Sequence, residues 1–388
     1  MTDKLPQKQR LLSLDVMRGA TVAAMTLVNN PGDWDHTYAP LEHSVWNGCT
    51  PTDLVFPFFL YMVGVAIVFA METRKEDPAN HGHMILVAFR RMLSLWAISW
   101  IIQLFFHHDT PPEVTGFWSK VGYVLGHLRL PGVLSRIGLV FFICTILYLK
   151  TTQKTRDWLM AFALIGYYVI MTFVPVPGIG PANLKPETNI GAWLDRLVFG
   201  VNHLWRESHT WDPEGLLGTI PAIGTCLFGI RVGTWLKRTD TEPGTKVSWM
   251  FVYGVLAVIL GLIWDLFFPI NKALWSSSFV LYTGGLATIA LALSYWMIDV
   301  QGRKKGVWFF VVFGMNAITA YVVGDVIGSV LDFIPTGQGV RLMGWINRDI
   351  CMKLFSPYNA SLARAIIYVF ISWIPMYWLY KKKIFIKV

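Results

Sequence analysis

Charge is what this 388-residue chain lacks: only 15% of its residues are Asp, Glu, Lys or Arg, against 54% that are apolar. About a quarter of an ordinary soluble domain is charged, so that class is excluded at the outset. Cysteine is equally scarce. Cys49, Cys144, Cys226 and Cys351 are the full set of four; they form no CxxC pair and no Cys/His spacing suited to a metal, so no metal site is expected. Cys49 and Cys351 alone fall on the expected oxidising side, where a bridge between them is a weak option. No internal repeat is obvious, and no polar module stands at either end, which leaves one domain over 1–388.

Long apolar stretches are what the chain does have. They fall at about 11–31, 52–71, 84–106, 131–149, 157–175, 214–236, 247–269, 273–298, 306–331 and 359–380, each near the roughly 20 residues that cross a hydrocarbon core of about 30 Å. The expected fold class is therefore all-α, a polytopic integral membrane bundle of about ten transmembrane helices. Basic residues gather at the N-terminal tail 1–10, at Arg303, Lys304 and Lys305, and at Lys381, Lys382 and Lys383, whereas segment 32–51 contains no Lys or Arg. The inside-positive rule then puts both termini in the cytoplasm and the segments 32–51, 107–130, 176–213 and 332–358 outside. A formal charge of +9 reads as this bias, because the cations are spread over short segments and form no stripe that would serve a nucleic acid. The first span is flanked like a signal peptide but has no small-residue cleavage site, so it is expected to stay. The eighteen Trp residues suit an interfacial belt, and 339–355 reads as a short amphipathic surface helix.

Several polar residues sit where lipid would penalise them. In the first span Asp15, Arg18 and Asn29 share one helical stripe, and ionisable groups at such depth are expected to face a bundle interior or a watery cavity. Mutual neutralisation of Asp15 and Arg18 is the simpler account of that pair, though it leaves Asn29 aside. Arg90 and Arg91 open the third span; one of them is expected to snorkel to the lipid surface. Arg136 and Asp325 are further cavity-lining candidates, and Arg364 fits either account. On the outer side Asn30, Glu42, His43, Trp46 and Asp53 cluster in sequence, while Asp212 and Glu214 flank Pro213, where capping of a helix is the default role. Asn271 and Lys272 occupy another outer turn, for which plain exposure is the default. Helix capping does not account for His43, although most loop histidines carry no chemistry.

The blocks "SLDVMRG", "LVNNPGDW", "LEHSVWNGCTPTDLVFPFFLYMVG", "PGVLSRIGLVFF", "WDPEGLLGTIPAI", "PINKALWSSSF" and "FGMNAI" resemble, in order, the signatures of the heparan-alpha-glucosaminide N-acetyltransferase family and its bacterial relatives. The resemblance implies transfer of an acetyl group from cytosolic acetyl-CoA, across the bilayer, to the amino group of a glucosamine or glucosaminide. It implies His43 as the active-site histidine, Asn29 as its support, a homodimer, and the inner membrane of a bacterium. Set against the animal enzyme, the resemblance leads one to expect no lumenal domain and no extra span ahead of the part matched here, and a longer loop from Asn29 to His43.

On this reading Asp15, Arg18, Arg90, Arg91 and Arg136 are the expected acetyl-CoA contacts, since guanidinium groups pair well with phosphate. His43 would take a proton from the amine and Asn29 would hold the oxyanion. Asn30, Glu42, Trp46, Asp53, Asp212, Glu214, Asn271 and Lys272 are the expected supporting or acceptor-binding residues, with Asp53 and Glu42 equal candidates to orient the imidazole. Direct transfer is preferred over an acetyl-histidine intermediate. Two other functions share many of these features: an O-acetyltransferase of a cell-surface glycan, and a sugar or glycolipid transporter with broken spans near Pro57 and Pro221.

Overall fold

The computed structural model describes residues 11–106, 110–336 and 339–386. Among these there is no strand, only isolated bridges. The long helices are α1 (Leu12–Val28), α2 (Val55–Lys75) and α3 (His81–Phe106), then a short α4 (Phe117–Gly126). They are followed by α5 (Val133–Lys150), α6 (Gln153–Phe173), a short α7 (Ile190–Phe199), α8 (Thr219–Lys237), α9 (Pro243–Asp265) and α10 (Ser277–Tyr295). The chain ends with α11 (Trp308–Met315), α12 (Ala317–Phe333), the small α13 (Leu342–Trp345) and α14 (Met352–Leu354), and α15 (Pro357–Lys381). A helix thus occupies each of the ten apolar stretches. Seven of them, among the described residues, are long and apolar enough to cross a membrane, and the pair α11 and α12, bent by 89°, makes an eighth if counted as one span. This fits a multi-pass helical membrane protein. Within 339–355, residues 342–354 are helical, with a π turn at Ile346–Cys351 joining α13 to α14.

Lipid-compatible helices gain little from burying apolar area against one another, so close approach of small residues does the holding. A β-carbon on Gly19 of α1 would lie 1.7 Å from the Phe310 carbonyl oxygen, and one on Gly314 of α11 would lie 1.9 Å from that of Asp15. Gly64 and Gly229 make the same device between α2 and α8, with the carbonyls of Cys226 and Tyr61 each 2.0 Å from the added carbon. The amide ends of α1, which no side chain of its own caps, are satisfied by Asp299: its carboxylate accepts from the backbone N–H of Leu12 at 3.1 Å and of Ser13 at 3.0 Å, a favourable charge at a helix N-terminus. The core runs through α1, α2, α3, α5, α8, α10 and α11, with Leu60, Leu95, Val140, Phe279 and Phe313 fully buried.

Candidate functional site

The turn Pro51–Leu54 that leads into α2 begins with a capping box, Thr50 and Asp53. Asp53 Oδ2 accepts from the backbone N–H of Thr50 and of Ser44, both at 3.0 Å. Its other oxygen, Oδ1, lies 2.7 Å from His43 Nδ1. The carboxylate is buried while the imidazole is half exposed, 1% against 48%, so one face of the ring is held and the other is open. Of the two carboxylates that sequence alone left equal, Asp53 touches the ring; Glu42 is exposed, and its backbone is what is used, its carbonyl accepting from Thr50 Oγ1 at 2.6 Å and its N–H donating to the Ala39 carbonyl at 3.3 Å.

Lys272 arrives from the turn between α9 and α10. Its Nζ is 3.0 Å from His43 Nδ1, 3.4 Å from Nε2 and 3.5 Å from Asp53 Oδ1. Nδ1 cannot donate to Asp53 and accept from Lys272 at once. The shorter contact to a carboxylate assigns the proton to Nδ1, leaving the Nε2 lone pair available. Burial pushes the Lys272 ammonium below its ordinary pKa, and Asp53 and Glu214 oppose that shift. Asn271 is fully buried and tethers the two loops: its Nδ2 donates to Asn47 Oδ1 at 3.2 Å, and Gly48 N–H donates to the Ile270 carbonyl at 2.7 Å. Trp46 donates to the Leu184 carbonyl at 3.0 Å and packs edge-on to Trp211, so it braces the outer loops.

Asn29 is the exposed C-cap of α1, and its side chain has no hydrogen-bond partner among the described residues. α1 touches the Asp53 turn, and among the described residues no hydrogen bond joins Asn29 to His43. Asn30 turns back on its own helix, donating to the Thr26 carbonyl at 2.9 Å, and Arg364 donates to the Asn30 and Pro31 carbonyls.

Asp212 and Glu214 do not open a helix as their position beside Pro213 suggested, because α8 starts only at Thr219. Both instead grip Arg129, a residue sequence reasoning did not single out. Arg129 donates to Asp212 Oδ1 and Oδ2 at 2.6 and 2.7 Å and to Glu214 Oε2 at 2.5 Å. The paired carboxylates hold the Arg129 guanidinium well above its ordinary pKa. A second missed residue is Asp195 of α7. It is buried, accepts from the Leu216 N–H at 2.8 Å, and is pushed up to about 7 by burial. The one hint was an acid three residues from Ala192 on the buried face of an amphipathic helix.

Arg136 lies with this outer group and not with the other arginines expected to bind acetyl-CoA. It sits in the first turn of α5, donates to the Gly215 carbonyl at 2.9 Å and stacks 5.1 Å from the Trp275 ring. At the opposite end of the bundle, Asp15 and Arg18 pair at 3.9 Å and line a cavity of about 560 Å³ together with Arg91. Arg91 packs over Phe141. Arg90, one residue back and therefore about 100° around the helix, is exposed on the outer surface of the bundle and off this cavity. Cys49, Cys144, Cys226 and Cys351 are all free thiols.

Comparison with known proteins follows the same line. No protein-family model matches the chain. It is 30% identical to the human heparan-alpha-glucosaminide N-acetyltransferase across 98% of its own length, and 30% identical to the mouse protein of that name across 84%. The chain spans 60% and 54% of the length of those two curated relatives. Identity at this level over nearly the whole chain puts it in a family-level relationship with the heparan-alpha-glucosaminide N-acetyltransferases.

Proposed function

We infer that this chain is a membrane-embedded acetyltransferase that passes an acetyl group from cytosolic acetyl-CoA to the amino group of an amino sugar on the opposite side, with about ten spans and both termini cytoplasmic. The observation that carries the reading is His43 clamped by buried Asp53 at 2.7 Å, in a chain related over almost its full length to N-acetyltransferases. A carboxylate on Nδ1 fixes the tautomer and leaves Nε2 to act as base.

The donor's phosphates suit the cavity of Arg18 and Arg91, while Arg90 and Arg136 fall outside that role. The same three helices continue outward: α3 carries Arg91 and then Ser99, α5 carries Phe141 and then Leu134 in reverse, and α12 carries Ile318 and then Tyr321, the second of each pair lining another cavity. Eight residues of α3 separate the two, about 12 Å at 1.5 Å per residue. Only the thin pantetheine arm needs to bridge that distance.

His43 Nε2 takes the proton as the free amine attacks the thioester carbonyl; the C–N bond forms, the C–S bond breaks, and the imidazolium returns the proton to the leaving thiolate. The Asn29 amide, exposed and unbonded, is suited to hold the oxyanion. Replacing His43 with Ala should lower acetyl transfer to glucosamine by at least about 100-fold, the low end of general acid–base assistance, with coenzyme A binding retained. Turnover close to that of the parent protein removes His43 from the mechanism. Labelled acetyl-CoA without acceptor should leave no label on the protein; retained label favours an acetyl-histidine route. The reading extends to a homodimer in a bacterial inner membrane, which cross-linking and membrane fractionation test. Sugar transport is the second reading, favoured by the 89° break between α11 and α12; sugar uptake into vesicles without acetyl-CoA would support it. O-acetylation of a surface glycan would show as an ester in the product.

A further inference from the structure

A lysine in an outer turn is ordinarily free to move in water, yet the turn that carries Lys272 is fixed on both sides of it. Asn271, fully buried, accepts from the Leu274 N–H at 2.8 Å and donates its own backbone N–H to Ser276 Oγ at 3.0 Å. The Leu274 carbonyl accepts from the Tyr167 hydroxyl at 2.5 Å, and the Trp275 indole N–H donates to Thr225 Oγ1 at 3.0 Å. Trp275 is buried and held at φ 53°, left-handed backbone that a bulky residue seldom adopts. Strain of that kind persists only where the surroundings over-determine it, and it gathers at functional sites. Lys272, with 22% of its side chain exposed, is therefore aimed at one place.

That place is the face of the imidazole. Lys272 Nζ lies 3.0 Å from His43 Nδ1 and 3.4 Å from Nε2. A point so nearly equidistant from both nitrogens cannot lie in the ring plane at that range, because Cε1 stands in the way on one side and Cγ and Cδ2 on the other. The ammonium stands over the ring, and Nε2 keeps its lone pair for the amine. Asp53 Oδ1 is 3.5 Å from Nζ, and among the described residues no other oxygen accepts from it. An ammonium has three donors, so donors remain for an atom set beside Nε2.

The charges lead to the same role. Asp53 is buried behind the ring, and alone it would oppose any negative charge forming in front of it; with the Lys272 cation the trio is neutral before attack. As the amine adds to the thioester, His43 gains a proton and the carbonyl oxygen gains the electron pair of the C=O π bond. Asn29, the donor in the scheme above, is neutral. We propose that Lys272 is the charged donor of the oxyanion site: its ammonium hydrogen-bonds the thioester oxygen as that oxygen becomes negative, and releases it when the C=O bond re-forms and the C–S bond breaks. The role rests on the transferase reading.

The full-length protein in detergent tests it in two ways. Lys272→Met should lower kcat for acetyl transfer to glucosamine by about 100-fold or more, the usual cost of one oxyanion donor, and keep the KM for acetyl-CoA within about twofold, because the ground-state carbonyl draws little on this contact. Alkylating Lys272→Cys with bromoethylamine rebuilds an ammonium of nearly the same reach and should give at least about tenfold higher kcat than alkylation with neutral iodoacetamide, each read against parent protein treated alike. Unchanged kcat in Lys272→Met, or equal recovery with the two reagents, overturns the assignment; if Lys272→Met does not fold, the pair of reagents decides. The second test needs neither acceptor nor turnover. The coenzyme A ketone in which a methylene replaces the thioester sulfur, isotopically labelled at its carbonyl carbon, should show a downfield carbon resonance on binding the parent, as a cation polarises the carbonyl. Lys272→Met should bind the ketone and lose that shift. A shift retained in Lys272→Met, in a protein that acetylates glucosamine, overturns the proposal and leaves the transferase reading intact. A shift that depends on Lys272 in a protein that acetylates no amino sugar defeats the transferase reading and leaves Lys272 as a carbonyl donor.

Discussion

Asp53 serves two purposes with two oxygens: one closes the turn that starts α2, the other holds His43. Asp53→Asn keeps an acceptor for the turn but can present an N–H to Nδ1, reversing the tautomer. A loss of roughly 100-fold or more in kcat is expected, with little change in the KM for acetyl-CoA. Combining it with His43→Ala should cost no more than the histidine change alone, because the two act as a unit. Asp195 gives a pH prediction of different kind. Its pKa rises from about 3.9 in an unfolded chain to about 7 in the fold. Between those values the native state binds the extra proton, so this group's contribution to stability falls as pH rises from about 4 to 7. Asp195→Asn should flatten that part of the curve, read as thermal midpoint against pH in detergent. The ten-residue spacing of His43 and Asp53 was legible in sequence. Lys272, 229 residues from His43, was legible only as a member of the outer loops.

Among the elements, the crossings of α1 with α11 and of α2 with α8 carry the tightest approaches, and glycine is required there because backbone oxygens of the neighbouring helix occupy the β-carbon position. Gly314→Ala should destabilise the bundle by about 1–3 kcal/mol, seen as a lower thermal midpoint, whereas Gly122→Ala, with nothing within 4 Å of the added carbon, should be nearly silent. Equal midpoints for the two would refute this account of the packing. Helix positions were legible because apolar runs of spanning length leave few alternatives. The break at Asn316 was not: "FGMNAI" continues the apolar run on both sides, and it is the contact of Asn316 with the C-terminal segment, Nδ2 to the Ile384 carbonyl at 3.0 Å and Oδ1 from the Ile386 N–H at 2.9 Å, that closes the bend.

Across the whole molecule, the reading requires two aqueous faces, with the cavity of Arg18 and Arg91 toward one and the cavity beside Arg129 toward the other, and buried Leu95 and Ile137 on the turns between. Two measurements follow. A cysteine placed at exposed Val45 should react with an impermeant thiol reagent in intact cells, and one at Arg303 should not; the opposite pattern refutes the sidedness. Arg18→Gln and Arg91→Gln should each raise the KM for acetyl-CoA about tenfold or more, since a hydrogen bond to a charged group is worth about 1.5–3 kcal/mol, and should leave the acceptor KM within twofold.

By itself the sequence determined a helical membrane chain, the bias of its basic residues, and the local pair His43 and Asp53, because the cost of exposing polar backbone to lipid and the periodicity of a helix act on neighbouring residues. Tertiary structure alone decided which distant charges meet: Lys272 at the imidazole, Arg129 between Asp212 and Glu214, Arg136 away from Arg18 and Arg91. Such meetings depend on the rotation and crossing of packed helices, and a shift of one residue, about 100° around an axis, is enough to separate Arg90 from the cavity that Arg91 lines.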